Sequence, residues 1–152
     1  MENTLTASLV DTNILVYANN RDSSHHVVSK KLIEDALNGN IEAVLSIQNL
    51  TELYAIITDK KRVEHPLSCD KAKRIIELYV INDNISIIHP SYQTPYTITK
   101  LIEKYKPVGQ SIFDYLLVAT MFDNNITQIY TNNTKHFEHF EFLEVINPFS
   151  GK

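Results

Sequence analysis

The sequence predicts an α/β fold, a three-layer α/β/α domain around a central, mostly parallel sheet. Alternation is the first observation behind this: short β-branched apolar runs exchange with segments of helical apolar period along the whole chain. Continuity is the second, since no repeat, low-complexity tract or Ser/Gly linker interrupts the pattern. Size and composition are the third. With 152 residues, 43% hydrophobic and 21% charged, the chain matches one globular domain over 1–152 rather than a disordered or two-domain protein.

Taken in order, Leu9 to Asp11 reads as the end of a strand and Asp22-Ser23-Ser24 as the start of a helix. Val28, Leu32, Ile33, Ala36 and Leu37 give that helix its buried stripe, and Asn38-Gly39-Asn40 ends it with residues that tolerate left-handed backbone. Ala43 to Ser46 follows as a buried strand, so strand, helix and strand form a right-handed parallel unit. Ser46 caps a helix through Leu50, Leu53, Tyr54 and Ile57, which Lys60-Lys61-Arg62 and Pro66 break. Cys69 to Tyr79 is amphipathic, with Ala72, Ile75, Ile76 and Tyr79 inward and Lys71, Lys73 and Arg74 outward. Ile85 to Ile88 is a strand, and Thr94 to Tyr105 a helix stopped by Pro107-Val108-Gly109. Ser111 starts a helix through Leu116, Leu117, Ala119 and Met121 that ends at Asn124-Asn125. Ile126 to Thr131 is a strand, Phe137 to Phe142 fits neither pattern, and Leu143 to Ile146 is the last strand. Pro148 and Gly151 mark a frayed tail.

Several function classes fall away on composition. No apolar run approaches the roughly 18 to 20 residues that a membrane span needs. Met1 to Thr6 lacks the basic start and apolar core of a secretory signal. Cys69 is the lone cysteine, which leaves no internal disulfide or thiolate cluster and suits a reducing cytoplasm. With Gly at 3 in the whole chain, neither a Walker loop nor a dinucleotide fingerprint exists. His136-Glu138-His139 has no helix to align it as a zinc site, and the rings of His25 and His26 diverge as neighbours on a surface. A net charge of −4 runs against a simple nucleic-acid binder, although carboxylates clustered for a cation lower the charge by themselves.

The acids carry the chemistry. In Ser8-Leu9-Val10-Asp11-Thr12-Asn13, Asp11 closes a buried strand and is aimed at the crevice beyond the strand ends, where ligands sit in open α/β sheets. Glu52 lies about one and a half turns into a helix that follows a strand's carboxyl end, beside the apolar stripe and near the same crevice. Asp114 stands in the first turn of its helix, at capping-box spacing from Ser111. Asp123, nine residues further on, faces the other side of that helix at about 100° per residue and is set aside. Thr131-Asn132-Asn133-Thr134 closes a later strand with amides and hydroxyls, as Asp11-Thr12-Asn13 closes the first. Neighbouring carboxylates repel unless a cation offsets them, so Asp11, Glu52 and Asp114 are candidate ligands of a divalent metal, while Glu52 also reads as a solvated helix acid and Asp114 as a first-turn cap favoured by the helix dipole.

These motifs resemble those of PIN-domain ribonucleases. Asp11-Thr12-Asn13 is similar to the first motif of that family, and Ser46-x-Gln48-x-x-x-Glu52 to the second. Ser111-Ile112-Phe113-Asp114-Tyr115 resembles the third and Thr131-x-Asn133-x-x-His136-Phe137 the fourth, while the size is similar to the toxins of VapBC toxin–antitoxin pairs. The resemblance implies a Mg²⁺-dependent endoribonuclease, with Mn²⁺ as substitute, that leaves 5′-phosphate and 3′-hydroxyl ends. It also implies an RNA substrate, a cognate antitoxin, a homodimer and no membrane. Thr12 and Asn13 would position ligands and water, Asn133 would orient water, and Lys135 would touch phosphate. The fourth motif departs from the family, which often has an acid where Asn133 or His136 stands here. That departure raises an alternative, a catalytically impaired PIN-fold module that binds RNA or protein. Hydrolases of the haloacid-dehalogenase type also end strand one in Asp, but they need a second Asp where this chain has Asn13.

Overall fold

In the computed structural model, which describes residues 5–150, the short apolar runs become a five-stranded sheet of order β3-β2-β1-β4-β5. The strands are β1 (Ser8–Val10), β2 (Ala43–Ser46), β3 (Ile85–Ile88), β4 (Gln128–Tyr130) and β5 (Glu144–Ile146). All four pairings are parallel, with Leu9 level with Val44 on one side and Ile129 on the other. The first four residues of the Met1–Thr6 opening and the tail mark at Gly151 lie outside the described residues.

The helices are α1 (Thr12–Ala18), α2 (His26–Leu37), α3 (Ile47–Ile57), α4 (Cys69–Ile81), α5 (Thr94–Tyr105) and α6 (Ile112–Asp123). Residue alternation along the strands sorts them into two layers. Val10, Ala43, Leu45 and Ile85 face a core built with α1 to α4. Leu9, Val44, Ile88 and Ile129 face the other core, filled by Leu117, Val118 and Met121 of α6 together with Phe137 and Phe140. Gly39 ends α2 as expected, at φ +76°, and a Cβ there would stand 3.0 Å from the Asn84 side chain.

The structure corrects four sequence expectations. A helix missing from the reading, α1, starts one residue after Asp11, so two helices rather than one link β1 to β2. Its Ile14, Leu15 and Val16 are all buried, which hides the helical period and makes the stretch look like more strand. Ser111 does not form a capping box with Asp114. It already lies in helical backbone, and its hydroxyl is spent one turn earlier, donating to Val108 O at 2.8 Å and accepting from Val108 N–H at 3.1 Å. The tail at Pro148 is docked rather than frayed, because Phe149 packs its ring 4.2 Å from His25 and 5.7 Å from Tyr17. That contact also leaves His25 half-buried rather than on open surface.

Phe137, 1% exposed, anchors the segment that follows β4 into the core beside α6. Replacing Phe137 with Ala is expected to lower the unfolding free energy by about 3–5 kcal/mol, as urea denaturation would measure.

Candidate active site

The sheet reverses its winding between β1 and β4, and the crevice at such a switch point is where the strand ends leave room for a ligand. Asp11 sits there, 8% exposed, at the end of β1 and as the cap of α1. Its Oδ1 accepts from Thr12 N–H at 2.8 Å. Its Oδ2 accepts from the Thr131 hydroxyl at 2.8 Å and from Asn13 Nδ2 at 3.4 Å. Burial nevertheless pushes the Asp11 carboxyl up to about 6 against those hydrogen bonds, and the charges of Glu52 and Asp114 push it the same way.

Glu52 reaches the crevice from α3 along a relay of polar side chains. Ser46 caps α3 and bonds Asn49 from both its N–H (3.0 Å) and its hydroxyl (2.8 Å). Asn49, fully buried, then donates to the Thr12 hydroxyl at 3.0 Å, and Thr12 donates to Glu52 Oε2 at 2.9 Å. Gln48 Nε2 holds the other oxygen, Glu52 Oε1, at 2.9 Å and also donates to Phe113 O at 2.9 Å, which ties α3 to the start of α6. Both partners are acceptors, so the amide nitrogen must face them; Gln48 Oε1 is left buried without a donor.

Asp114 projects from the first turn of α6, where burial raises its carboxyl and the His136 ring beside it pulls the other way. His136 Nδ1 lies 3.0 Å from Asp114 Oδ2, and since an ionised carboxylate only accepts, that nitrogen is the donor. Asn133 is exposed at the crevice, its N–H donating to Thr131 at 2.9 Å. Lys135 is exposed two residues further along. Asp123, set aside from the sequence, accepts from Thr94 and Thr97 at 2.7 Å and locks α5 to α6.

Sequence reasoning gave no role to Thr131, Asn49 or His136. A signal existed for His136: three residues after Asn133 in a 3₁₀ turn, the period of that turn returns it to the same side. Thr131 and Asn49 reach Asp11 and Thr12 through contacts 120 and 37 positions away, which no local pattern reveals.

The donor set of Asp11, Glu52 and Asp114 is three carboxylates, all oxygen, whose mutual charge acts against ionisation of Asp11. That chemistry fits Mg²⁺. Among the described residues, the one trio of acidic or His side chains with ligand atoms all within 4.8 Å of one another is the exposed Asp22, Glu64 and His65. The three crevice acids are spaced more widely than that, which suits a small cation that keeps several waters and takes only one or two carboxylates directly.

A model of the PIN domain family matches residues 8–143. Among curated proteins, ribonuclease VapC24 of Mycobacterium tuberculosis is 23% identical over 142 residues, covering 93% of this chain and 97% of its own. Among solved structures, VapBC-1 from nontypeable Haemophilus influenzae has a TM-score of 0.65 at 18% identity, covering 95% of this chain and 100% of that one. Mycobacterium tuberculosis VapC20, described as a Sarcin-Ricin loop cleaving toxin, has a TM-score of 0.64 at 15% identity, covering 86% and 92%. VapBC2 from Rickettsia felis, bound to a promoter DNA fragment, has a TM-score of 0.63 at 22% identity, covering 93% and 98%.

The raised Asp11 carboxyl links stability to pH. Its folded value of about 6 lies above its ordinary 3.8, so the proton favours the folded chain at low pH and that stability is lost as pH rises through 6. In EDTA, unfolding free energies are expected to move against wild type and toward Asp11→Asn by roughly 2–3 kcal/mol between about pH 4 and pH 7, measured by urea titration.

Proposed function

The chain belongs to the PIN-domain family, and we propose that it is a divalent-metal-dependent endoribonuclease, the toxin of a toxin–antitoxin pair, in one domain over 1–152. One observation carries the reading. Three carboxylates from the end of β1, from α3 and from α6 meet at the sheet's switch point, where burial, and after it the charges of Glu52 and Asp114, push the Asp11 carboxyl up to about 6. Such a cluster suits a cation, which would offset the repulsion among its charges.

Asp11, Glu52 and Asp114 would hold Mg²⁺, with Mn²⁺ able to substitute. The ion, when bound, lowers the pKa of water and offsets charge on the scissile phosphate. Everything else is the work of the chain. Thr131 and Thr12 fix the two oxygens of Asp11, while Thr12 and Gln48 fix the two of Glu52, so neither carboxylate needs to reorganise. Asn13 donates toward Asp11 Oδ2 and orients that oxygen. His136 holds Asp114 by a hydrogen bond to one oxygen. Asn133, exposed beside these groups, is assigned the orientation of water, and Lys135 the contact to phosphate. Hydrolysis by in-line attack of water on phosphorus breaks the bond to the 3′ oxygen and leaves 5′-phosphate and 3′-hydroxyl ends.

A cognate antitoxin is the assigned partner, supported by the VapBC structures among those similar to this chain. A homodimer in the cytoplasm completes the reading. Among the described residues, no helix is long and apolar enough to cross a membrane. The neutral Asn133 favours the second reading, a binding module with impaired catalysis, and the same assay separates the two.

With purified protein and structured RNA, cleavage is expected in Mg²⁺ or Mn²⁺ and not in EDTA. Asp11→Asn, Glu52→Gln and Asp114→Asn should each lower kcat by about 100-fold or more, since each removes charge from the cation site. RNA retained intact by wild type in Mn²⁺ would favour the binding module.

A further inference from the structure

We propose that the cleft between Asn13 and Arg62 seats a nucleoside of single-stranded RNA beside the phosphate on which the carboxylates act. This rests on the nuclease reading and narrows its substrate. The cleft, about 570 Å³, runs from Asn13 and Asn133 at the acid cluster past Tyr17, Asn20 and His25 to Arg62. Its first wall is shared with the site itself, because Asn13 also bonds Asp11 at 3.4 Å. A base in this cleft would therefore belong to a nucleotide next to the reacting phosphate.

The lining has the chemistry of nucleotide recognition. No carboxylate lines it, and the link to the acids runs through Asn13 to Asp11. Tyr17 and His25 supply ring surface, which stacks against any base. Asn20 and Asn133 supply donors and acceptors that can meet base edges, and the exposed Arg62 supplies a cation for a phosphate. A neighbouring cleft shares Asn20 and adds Arg21 and Lys71, with Asp22 paired to His65 at 2.8 Å beside them. On the other side of the acids a third cleft opens between Asp114, His136 and His139, which gives a strand somewhere to leave.

The rings are also held in advance. Tyr17 OH accepts from Asn132 Nδ2 at 3.2 Å, and Tyr17 O accepts from His26 Nδ1 at 2.9 Å. Phe149 packs on both His25 and Tyr17 without lining the cleft. A stacking surface fixed before binding loses little freedom when a base arrives. An apolar trough would suit a peptide better; this lining is mainly amide, hydroxyl, ring and guanidinium.

The test measures binding of a short fluorescent single-stranded RNA in Mg²⁺ on the Asp11→Asn background, with wild-type cleavage of the same RNA followed in parallel. Adding His25→Ala is expected to weaken binding about tenfold, the scale of one lost stacking contact, and His25→Phe to restore it. Adding Arg62→Ala is expected to flatten the plot of log affinity against log salt by about 0.7, the share of one phosphate contact. If wild type cuts the RNA but both alanine variants bind it as the background does, with the same salt slope, the cleft assignment falls and the nuclease stands. That result would leave the cleft to a protein partner. If wild type neither cuts nor binds RNA, both fall.

Discussion

A single buried carboxylate organises this molecule. Asp11 ends β1, caps α1 and lies at the seam between β1 and β4, where only Thr12 N–H, the Thr131 hydroxyl and the Asn13 amide reach it. Removing a charge from water costs more than those hydrogen bonds return, and the raised carboxyl is the sign of that deficit. A fold that keeps such a group needs something else to meet the charge. The surrounding elements are arranged around that need: α3 and α6 each end a run of backbone at the same crevice and each bring one more acid.

The constraint explains why the polar network is so connected. Asn49 is fully buried, so its amide must be satisfied. It is, by Ser46 on one side and Thr12 on the other, and Thr12 passes the ordering on to Glu52. The second strand, the first helix and the third helix are thereby registered through side chains rather than through the sheet alone. Gln48 does the same between α3 and α6 by bonding Glu52 and the Phe113 carbonyl together. Networks of this kind are favourable only when nearly complete, and here the one gap is Gln48 Oε1, beside Glu52.

Much of this was readable from the sequence, and the misses have physical reasons. Strands β2 and β3, both ends of α5 and the Ser46 cap were legible because propensity, capping and burial agree there. That Asp11, Glu52 and Asp114 lie toward one crevice was legible because alternation dictates the direction of the elements that carry them. Helix α1 was not, because a helix buried on most sides shows no stripe, and because its cap is the residue that also ends the strand. The Ser111 cap was misread because a 3₁₀ turn, opened by Gly109 at φ +62°, takes the hydroxyl one turn early. Thr131 and Asn49 lay beyond reach, since their roles exist only once strands and helices distant in sequence are side by side.

The neutral fourth motif makes sense in the same electrostatic terms. A fourth carboxylate at Asn133 would face Asp11 across Thr131, which already bonds both Asp11 Oδ2 and the Asn133 N–H. It would drive the buried acid further from ionisation. Asn133 avoids that repulsion while keeping polar atoms at the crevice, and His136 goes further by donating to Asp114. Three acids bordered by an amide and a ring nitrogen form a weaker field for a second cation than four acids would. The trade is lower repulsion among the acids against less total charge at the crevice, and this chain stands on the side of fewer charges, each fixed by hydrogen bonds.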